Sequence, residues 1–452
     1  MTRFFASLAY LQHGWAKNVL LTVVNGHIDQ IEEDSDPALA DVILNGPVLP
    51  TVANLHSHGF QRLMAGMAEI ALNPEDSFWS WRDVMYQTAR ELGPEALQVI
   101  ASKLYIELLK GGFTQVAEFH YLHNQPDGCP YPKVTELGDA MLRAGQDVGM
   151  GVTLLPALYQ YSGFGQQAPK AGQQRFVQST QAYIDQYRAY QASIDSYPLH
   201  RLGLCFHSLR ATDFAAIKQV LSKLHQSQPI HIHIAEQLKE VDDCLHYCDK
   251  RPVQRLVEEC ALDQHWTLIH ATHLSQEELR AIAQAGACVG ICTTTEANLG
   301  DGLFPARAFE QAGGIWGIGT DSHVSTSLQE ELRWFEYGQR LSEHKRNRLY
   351  SEAQPRIGNH LFDRALQGGN QACGVQLGLA QGSRADWMVW DDKEPFIQAS
   401  KAEDLINRWL FGLSGNPIKD VYVAGQQVIK QGQHALDQQT NEAFADLVRQ
   451  YF

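Results

Sequence analysis

Between about residues 49 and 325 the chain alternates short β-rich apolar runs with longer amphipathic stretches, and the pair recurs eight times. The runs are Val48 to Leu55, Thr114 to Phe119, Gly151 to Pro156, Leu202 to Phe206, Ile230 to Ile234, Trp266 to Ile269, Ala287 to Cys292 and Ile315 to Gly319. Eight successive βα units fit a closed (β/α)8 barrel better than an open doubly wound sheet, because no Gly-rich dinucleotide fingerprint follows the first strand. The barrel is expected over residues 49–379. Amphipathic segments after Ser327 and from Gly358 to Cys373 are expected to complete its helical layer.

The two ends carry a different pattern. Leu20 to Ile31 holds Asn25-Gly26 between alternating runs, and Asp420 to Gln431 holds Ala424-Gly425 in a similar frame, so both read as β-hairpins. With a further strand at Asp386 to Trp390, residues 1–48 and 380–435 are expected to assemble one small β domain from both termini. A helical segment is expected over 436–452.

Composition changes the picture in three ways. Hydrophobic residues are 44%, charged residues 19% and aromatics 10% of 452, which is a globular profile and argues against disorder. Lys plus Arg number 36 against 51 Asp plus Glu, a formal charge of -15, so nucleic acid and anionic membrane surfaces are poor partners and a small ligand is favoured. No apolar run approaches the roughly 18 residues of a transmembrane helix. Phe4 to Leu11 lacks a cleavage site of the signal type and reads as a strand. The eight cysteines lie scattered, and neither Cys244/Cys248 nor Cys288/Cys292 has the two-residue gap of a redox or zinc motif, so they are expected to be buried thiols in a reducing cytoplasm.

The chemistry lies where the strands end. In a barrel the C-terminal rim carries the site, and here strand 1 ends His56-Ser57-His58, strand 5 runs His231-Ile232-His233 with Glu236 beyond, strand 6 ends at His270 and strand 8 at Asp321. Histidines two apart on a strand point to one side, so His56 and His58 can grip one ion. An imidazole from His233 and the carboxylate of Asp321 complete a nitrogen-and-oxygen set suited to zinc or iron(II). Alternation puts His231 on the same face as His233, and only height separates them, His233 lying nearer the rim. His273 and His323 are near enough to be considered, with weaker claims.

These motifs, with His233-Ile234-Ala235-Glu236 after strand 5 and Thr320-Asp321-Ser322 after strand 8, resemble the amidohydrolase superfamily and its metal-dependent deaminase branch. Two-metal members bridge their ions with a modified lysine after strand 4, whereas this chain has Cys205-Phe206-His207 there, which implies a single ion, zinc by resemblance. The resemblance also implies a small β-sandwich built from both termini and a homodimer. A wider set of motifs, from Val48-Leu49-Pro50 through Asn54 to Arg62, with Phe78-Trp79-Ser80-Trp81-Arg82, Glu118 to His123 and His207 to Arg210, resembles branch members that convert N-formimidoyl-L-glutamate and water to N-formyl-L-glutamate and ammonia in histidine breakdown. Thr51-Val52 departs from the Gly then Met usual there, at no catalytic position.

Hydrolysis of an amidine-like C=N bond needs a hydroxide, a base and an acid for departing ammonia. A bound cation supplies the first, His270 is placed as the base, and Glu236 can carry a proton to the leaving nitrogen and pair with the formimidoyl cation, while Asp321 shares in the proton movement. By resemblance Arg82, Tyr121, His207 and Arg210 contact the glutamate portion of this dianionic substrate, with Gln61 near the formimidoyl group. Arginine's planar fork suits a carboxylate. The aromatic cluster Phe78, Trp79 and Trp81 reads as loop packing more readily than as a lid. Competing readings are a deaminase of the same branch acting on a nucleobase, triazine or adenosine derivative, and a non-catalytic metal-binding barrel.

Overall fold

The computed structural model describes residues 1–70 and 78–452, with side chains from 81 onward in the second stretch. Eight parallel strands follow one another in chain order around the barrel: Val52–Ser57, Phe113–His120, Gly151–Leu158, Leu204–Ser208, Ile230–Ile234, Trp266–His270, Cys288–Ile291 and Ile315–Ile318. Their residues are almost all buried, as a sheet covered on both faces requires. The seam between strands 8 and 1 closes through a parallel bridge of Ser57 with Asp321, and the backbone N–H groups of Thr320 and Asp321 both donate to the His56 carbonyl. Closure therefore runs through His56 and Asp321, two of the candidate metal ligands.

One expected run divides. Val48–Pro50 is not part of the first barrel strand; it pairs antiparallel with Trp387–Val389 in the terminal sheet, and the barrel strand begins at Val52. The physical reason is Pro50, which has no N–H to continue a ladder, so the chain changes partners there and Val52 N–H donates to the Gly112 carbonyl.

The terminal sheet has nine strands and is largely antiparallel, drawn from Thr2–His434 outside the barrel. Its own core includes Phe4, Leu21, Leu44, Trp387 and Tyr422, with the Phe4 and Trp387 rings 5.0 Å apart. Both hairpins form with left-handed backbone at each central residue (φ 49° and 79° at Asn25 and Gly26, 48° and 76° at Ala424 and Gly425), the twist-matched turn for two-residue loops. Gly26 packs so closely on Ala424 that a Cβ there would lie 3.0 Å from the alanine's. The two ends of the chain thus meet turn to turn.

A helix, Ile357–Cys373, lies across the base of the barrel. Gly368 allows the approach, since a Cβ there would lie 2.0 Å from the Trp316 carbonyl oxygen. The helix's last carbonyls take bonds from inward-facing groups: His231 Nε2 donates to Ala372 O (2.8 Å) and Thr153 Oγ1 to Cys373 O (2.8 Å). This separates His231 from His233. The lower histidine anchors the floor and the upper one faces the rim. Among the cysteines six are buried, but Cys129 is exposed and Cys248 half-buried, so the expectation of buried thiols fails at those two. The first sits in the turn closed by Asp127 (Cys129 N–H to Oδ1, 2.9 Å) and the second at a helix end, where little packs over either. Among the described residues no helix is long and apolar enough to cross a membrane.

Buried His200 shows how the fold fixes a neutral imidazole: Nδ1 accepts from Val152 N–H (3.2 Å) and Nε2 donates to Leu142 O (2.9 Å), and burial pushes its pKa down to about 4. Between about pH 6.5 and 4 the unfolded chain takes up this proton and the folded chain does not, so the histidine's contribution to stability is lost as pH falls. His200→Gln keeps a donor and an acceptor but cannot titrate. Its stability deficit against the wild type at pH 7.5 is therefore expected to shrink on acidification, by up to about 1.4 kcal/mol per pH unit within that window. Denaturant titrations at several pH values test this, and a deficit that does not change with pH would refute it.

Candidate metal centre and active site

The strand ends bring three imidazoles to one point. His233 Nε2 lies 3.1 Å from His56 Nε2 and 3.2 Å from His58 Nε2, and Asp321 Oδ1 lies 3.3 Å and 3.4 Å from the same two nitrogens. The other ring nitrogens explain why these four atoms face inward. His58 Nδ1–H donates to Phe119 O and His233 Nδ1–H to His207 O, each at 2.9 Å, which leaves the Nε2 lone pairs pointing at one another. Nitrogens so disposed cannot satisfy one another. A cation with bonds of about 2.0–2.1 Å has neighbouring ligands roughly 3–3.5 Å apart, the spacing found here, and expansion to five ligands leaves a position for water. His56, His58 and His233 form a buried metal-binding cluster.

Electrostatics agrees with cation binding. Burial pushes His56 down to about 3 and lowers His58 and His233, so all three are neutral ligands at pH 7. Burial opposes the charge of Asp321, yet the surrounding imidazoles of His56, His58 and His270 hold its carboxyl well below the usual range. Asp321 and His270 both have left-handed backbone (φ 47° and 67°), as do Ala235, Ala271 and His323 nearby. Such strain at non-glycine residues is retained where surrounding structure fixes it, and here it turns the chain sharply so that strand-end side chains face the axis.

Beside the cluster lies a pocket open to solvent, lined among others by His58, Gln61, Arg82, Tyr121, His207, Arg210, His233, Glu236, His270 and Asp321. Of the residues proposed as ligands, catalytic groups or substrate contacts, all line it except His56, which is wholly buried behind. Glu236 Oε1 and Asp321 Oδ2 each lie 3.8 Å from His270 Nε2. Burial opposes charge on His270, but Glu236, Glu296 and Asp321 outweigh it and raise the imidazole to about 10. Burial raises Glu236, while His270 and Arg210 draw it back. Gln61 Nε2 donates to Tyr121 Oη (2.9 Å), fixing both at the wall. Arg82 lies over the Tyr86 ring, 5.5 Å from its centre.

Two candidate histidines face elsewhere. His323 has both ring nitrogens engaged, with Ser57 Oγ (3.0 Å) and Thr320 Oγ1 (2.8 Å), and His273 Nε2 donates to Asp301 O (2.8 Å). The side chains of Phe78 and Trp79 lie outside the described residues; Trp81 lines the pocket and packs against the core.

Three buried carboxylates were not anticipated. Glu296, on the short helix Thr293–Leu299 after strand 7, places Oε1 3.2 Å from His270 Nδ1 and also accepts Cys292 N–H (3.0 Å). Glu240 accepts Glu236 N–H (3.2 Å) and approaches Arg210 Nε at 3.9 Å, while Arg210 Nη2 reaches Glu236 at 3.8 Å. Glu118 accepts from Ser57 Oγ and Gly59 N–H, each at 2.7 Å, and burial lifts it to about 7. The signal available in the sequence was position, since Glu296 follows a barrel strand by five residues at the catalytic rim.

Residues 48–428 match the model of the amidohydrolase family. The chain is 49% identical over 450 residues to formimidoylglutamate deiminase of Pseudomonas aeruginosa, covering 99% of each. It is 24% identical to 5-methylthioadenosine/S-adenosylhomocysteine deaminase of Natronomonas pharaonis, covering 85% of this chain and 81% of that one. The crystal structure of an amidohydrolase from Brucella melitensis superposes with a TM-score of 0.95 at 40% identity, covering the whole of both chains. A zinc-bound adenosine deaminase from Xanthomonas campestris shares the fold (TM-score 0.82, 19% identity, covering 99% and 98%).

His58→Ala removes one of the converging nitrogens and is expected to lower metal retention by at least about tenfold after dialysis, with the fold intact by circular dichroism. Elemental analysis decides it, and wild-type metal content in the variant would disprove the arrangement.

Proposed function

The chain belongs to the amidohydrolase family, and from that premise we propose that it hydrolyses N-formimidoyl-L-glutamate to N-formyl-L-glutamate and ammonia, with one zinc ion per chain held by His56, His58, His233 and Asp321. The observation that carries the reading is a pocket with the metal cluster, His270 and Glu236 at one end and Arg82 and Arg210 among its walls, in a chain 49% identical to a formimidoylglutamate deiminase. A homodimer in solution is part of the same reading.

A divalent cation bound there acidifies water, taking its pKa from about 15.7 toward about 7, and so makes a nucleophile available at neutral pH. The protein's own groups do the rest. Once a bound cation offsets Asp321, His270 would be freed of the proton that its carboxylate neighbours otherwise hold on it, and its Nε2, within 3.8 Å of both Asp321 and Glu236, would accept the proton the water gives up. Oxygen adds to the formimidoyl carbon, the C=N bond becomes single, and the nitrogen must gain protons before it leaves. Glu236, anionic while it pairs with the amidinium, takes the proton of the hydroxyl that has added to carbon, a transfer that burial of its carboxyl favours, and passes it to that nitrogen; the C–N bond breaks as the formyl C=O forms and ammonia departs. A neutral amide offers no cation for that pairing. Arg82, Arg210, Tyr121 and His207 receive the two carboxylates, and Gln61, steadied by Tyr121, faces the formimidoyl group. Glu296 accepts the His270 Nδ1 proton and thereby keeps the Nε2 lone pair toward the reacting water, the role an aspartate fills in a serine-hydrolase triad.

Ammonia release is expected from N-formimidoyl-L-glutamate and not from guanine, cytosine or N-formimidoylglycine. The tyrosines 86, 121 and 159 of the pocket could stack a base, so activity on a nucleobase alone would replace the substrate assignment while leaving the metal site. Glu236→Gln should keep metal and fold and lose about 10²-fold or more in kcat; undiminished ammonia production would remove Glu236 from the mechanism.

Glu296→Gln should lower kcat by roughly 10- to 100-fold through the wrong His270 tautomer, with KM and metal content unchanged. A variant with wild-type kcat, or one whose loss lies wholly in KM, would show that Glu296 serves the fold alone.

A further inference from the structure

A second cluster of metal-ligating side chains lies at the opposite end of the barrel. His225 follows the last residue of helix Phe214–Leu224, five residues before strand 5 begins at Ile230, and Asp263 and His265 stand in the connection entering strand 6. One ligand atom from each of the three falls within 4.8 Å of the others. The His225 and His265 rings meet edge to face, with centres 5.4 Å apart. Asp263 presets the His265 side: Oδ1 accepts the His265 N–H (2.9 Å) and Oδ2 lies 3.2 Å from Nδ1 of its ring. His225 Nδ1 is shielded from solvent with no hydrogen-bond partner among the described residues. The connections already touch, because Ile230 N–H donates to His265 O (2.8 Å).

We propose that His225, Asp263 and His265 form a second divalent-cation site, of two imidazoles and one carboxylate with water completing the coordination, that staples the entries of barrel strands 5 and 6. Two nitrogens and an oxygen suit zinc, nickel or copper(II) rather than calcium or magnesium. Half-burial and the neighbouring ring lower the His225 pKa, which keeps it a neutral ligand. Strand 5 carries His233 and strand 6 carries His270, but their working ends lie at the far rim. The ion is therefore structural, and its loss leaves the catalytic groups in place.

The test is zinc binding by the full-length protein, stripped with chelator and dialysed against increasing zinc, with metal counted by elemental analysis and Tm followed in parallel. Two equivalents per chain are expected, the second accompanied by a saturating rise in Tm. His225→Ala/His265→Ala should bind one equivalent, lose that rise and keep the wild-type kcat. His58→Ala should keep the second equivalent, so failure at one site is distinguishable from failure at the other. A plateau at one equivalent in the wild type, or a second equivalent that survives in the double variant, would overturn the proposal. A second equivalent without a rise in Tm would overturn the stapling role.

Discussion

Three imidazole lone pairs are held within 3.2 Å of one another or of a shared neighbour at the buried floor of the pocket, and the rest of the molecule is arranged around that unfavourable contact. Without a cation the arrangement is repulsive, so it must be imposed. Strand 1 supplies two of the rings by its two-residue period, strand 5 the third, and backbone carbonyls of Phe119 and His207 lock two of them in the ligating tautomer. Asp321 is fixed by the hydrogen bonds that close the barrel seam. A barrel is well suited to this because eight independent strands can each deliver a side chain to one axis while their backbones remain fully bonded.

Around the cluster stands an excess of buried carboxylate. Glu236, Asp321, Glu296 and Asp301 converge on His270, and burial together with Glu236 lifts Asp301 to about 9. Glu240 and Glu236 flank Arg210 from two sides. Buried like charges cannot all remain ionised, so the group shares protons, and a shared proton beside a reacting nitrogen is what an amidine hydrolase requires. The same excess accounts for Arg210's position. Its guanidinium offsets the glutamates before any substrate arrives, and under the proposed function the two substrate carboxylates would therefore call on Arg82 and neutral donors such as Tyr121 as well.

The barrel was legible because its signal is periodic and repeated: eight apolar runs, each long enough to register, fell within a few residues of the observed strands. The hairpins were legible for a local reason, since Asn25-Gly26 and Ala424-Gly425 tolerate the left-handed backbone that tight turns impose. What escaped was partner choice. Nothing in the hydrophobicity of Val48 to Leu55 says that Val48–Pro50 pairs with Trp387–Val389 instead of the barrel. In the site, His56, His58, His233 and Asp321 stood out by residue type at strand ends, whereas Glu296 and Glu240 sit on helices where a glutamate is ordinary. Their importance comes from burial and from the bond each makes, and neither has a one-dimensional signature. His231 was ambiguous for a similar reason, because alternation gives the face and only the floor helix gives the depth.

Selectivity then follows from where charge is placed along the pocket. A nucleobase is flat and neutral and gains from the tyrosine walls, yet it offers no anionic group to Arg82 and Arg210 and no cationic group to Glu236. N-formimidoyl-L-glutamate has a cationic head of amidine type and two anionic groups a few bonds away, so its charges run in the opposite sense to those of the walls. Polar groups in a desolvated pocket penalise a ligand that leaves them unpaired more than they reward one that pairs them. Under the proposed function the metal cluster, His270 and Glu236 supply the chemistry, and the discrimination would lie in the arginines at a distance from the bond that breaks.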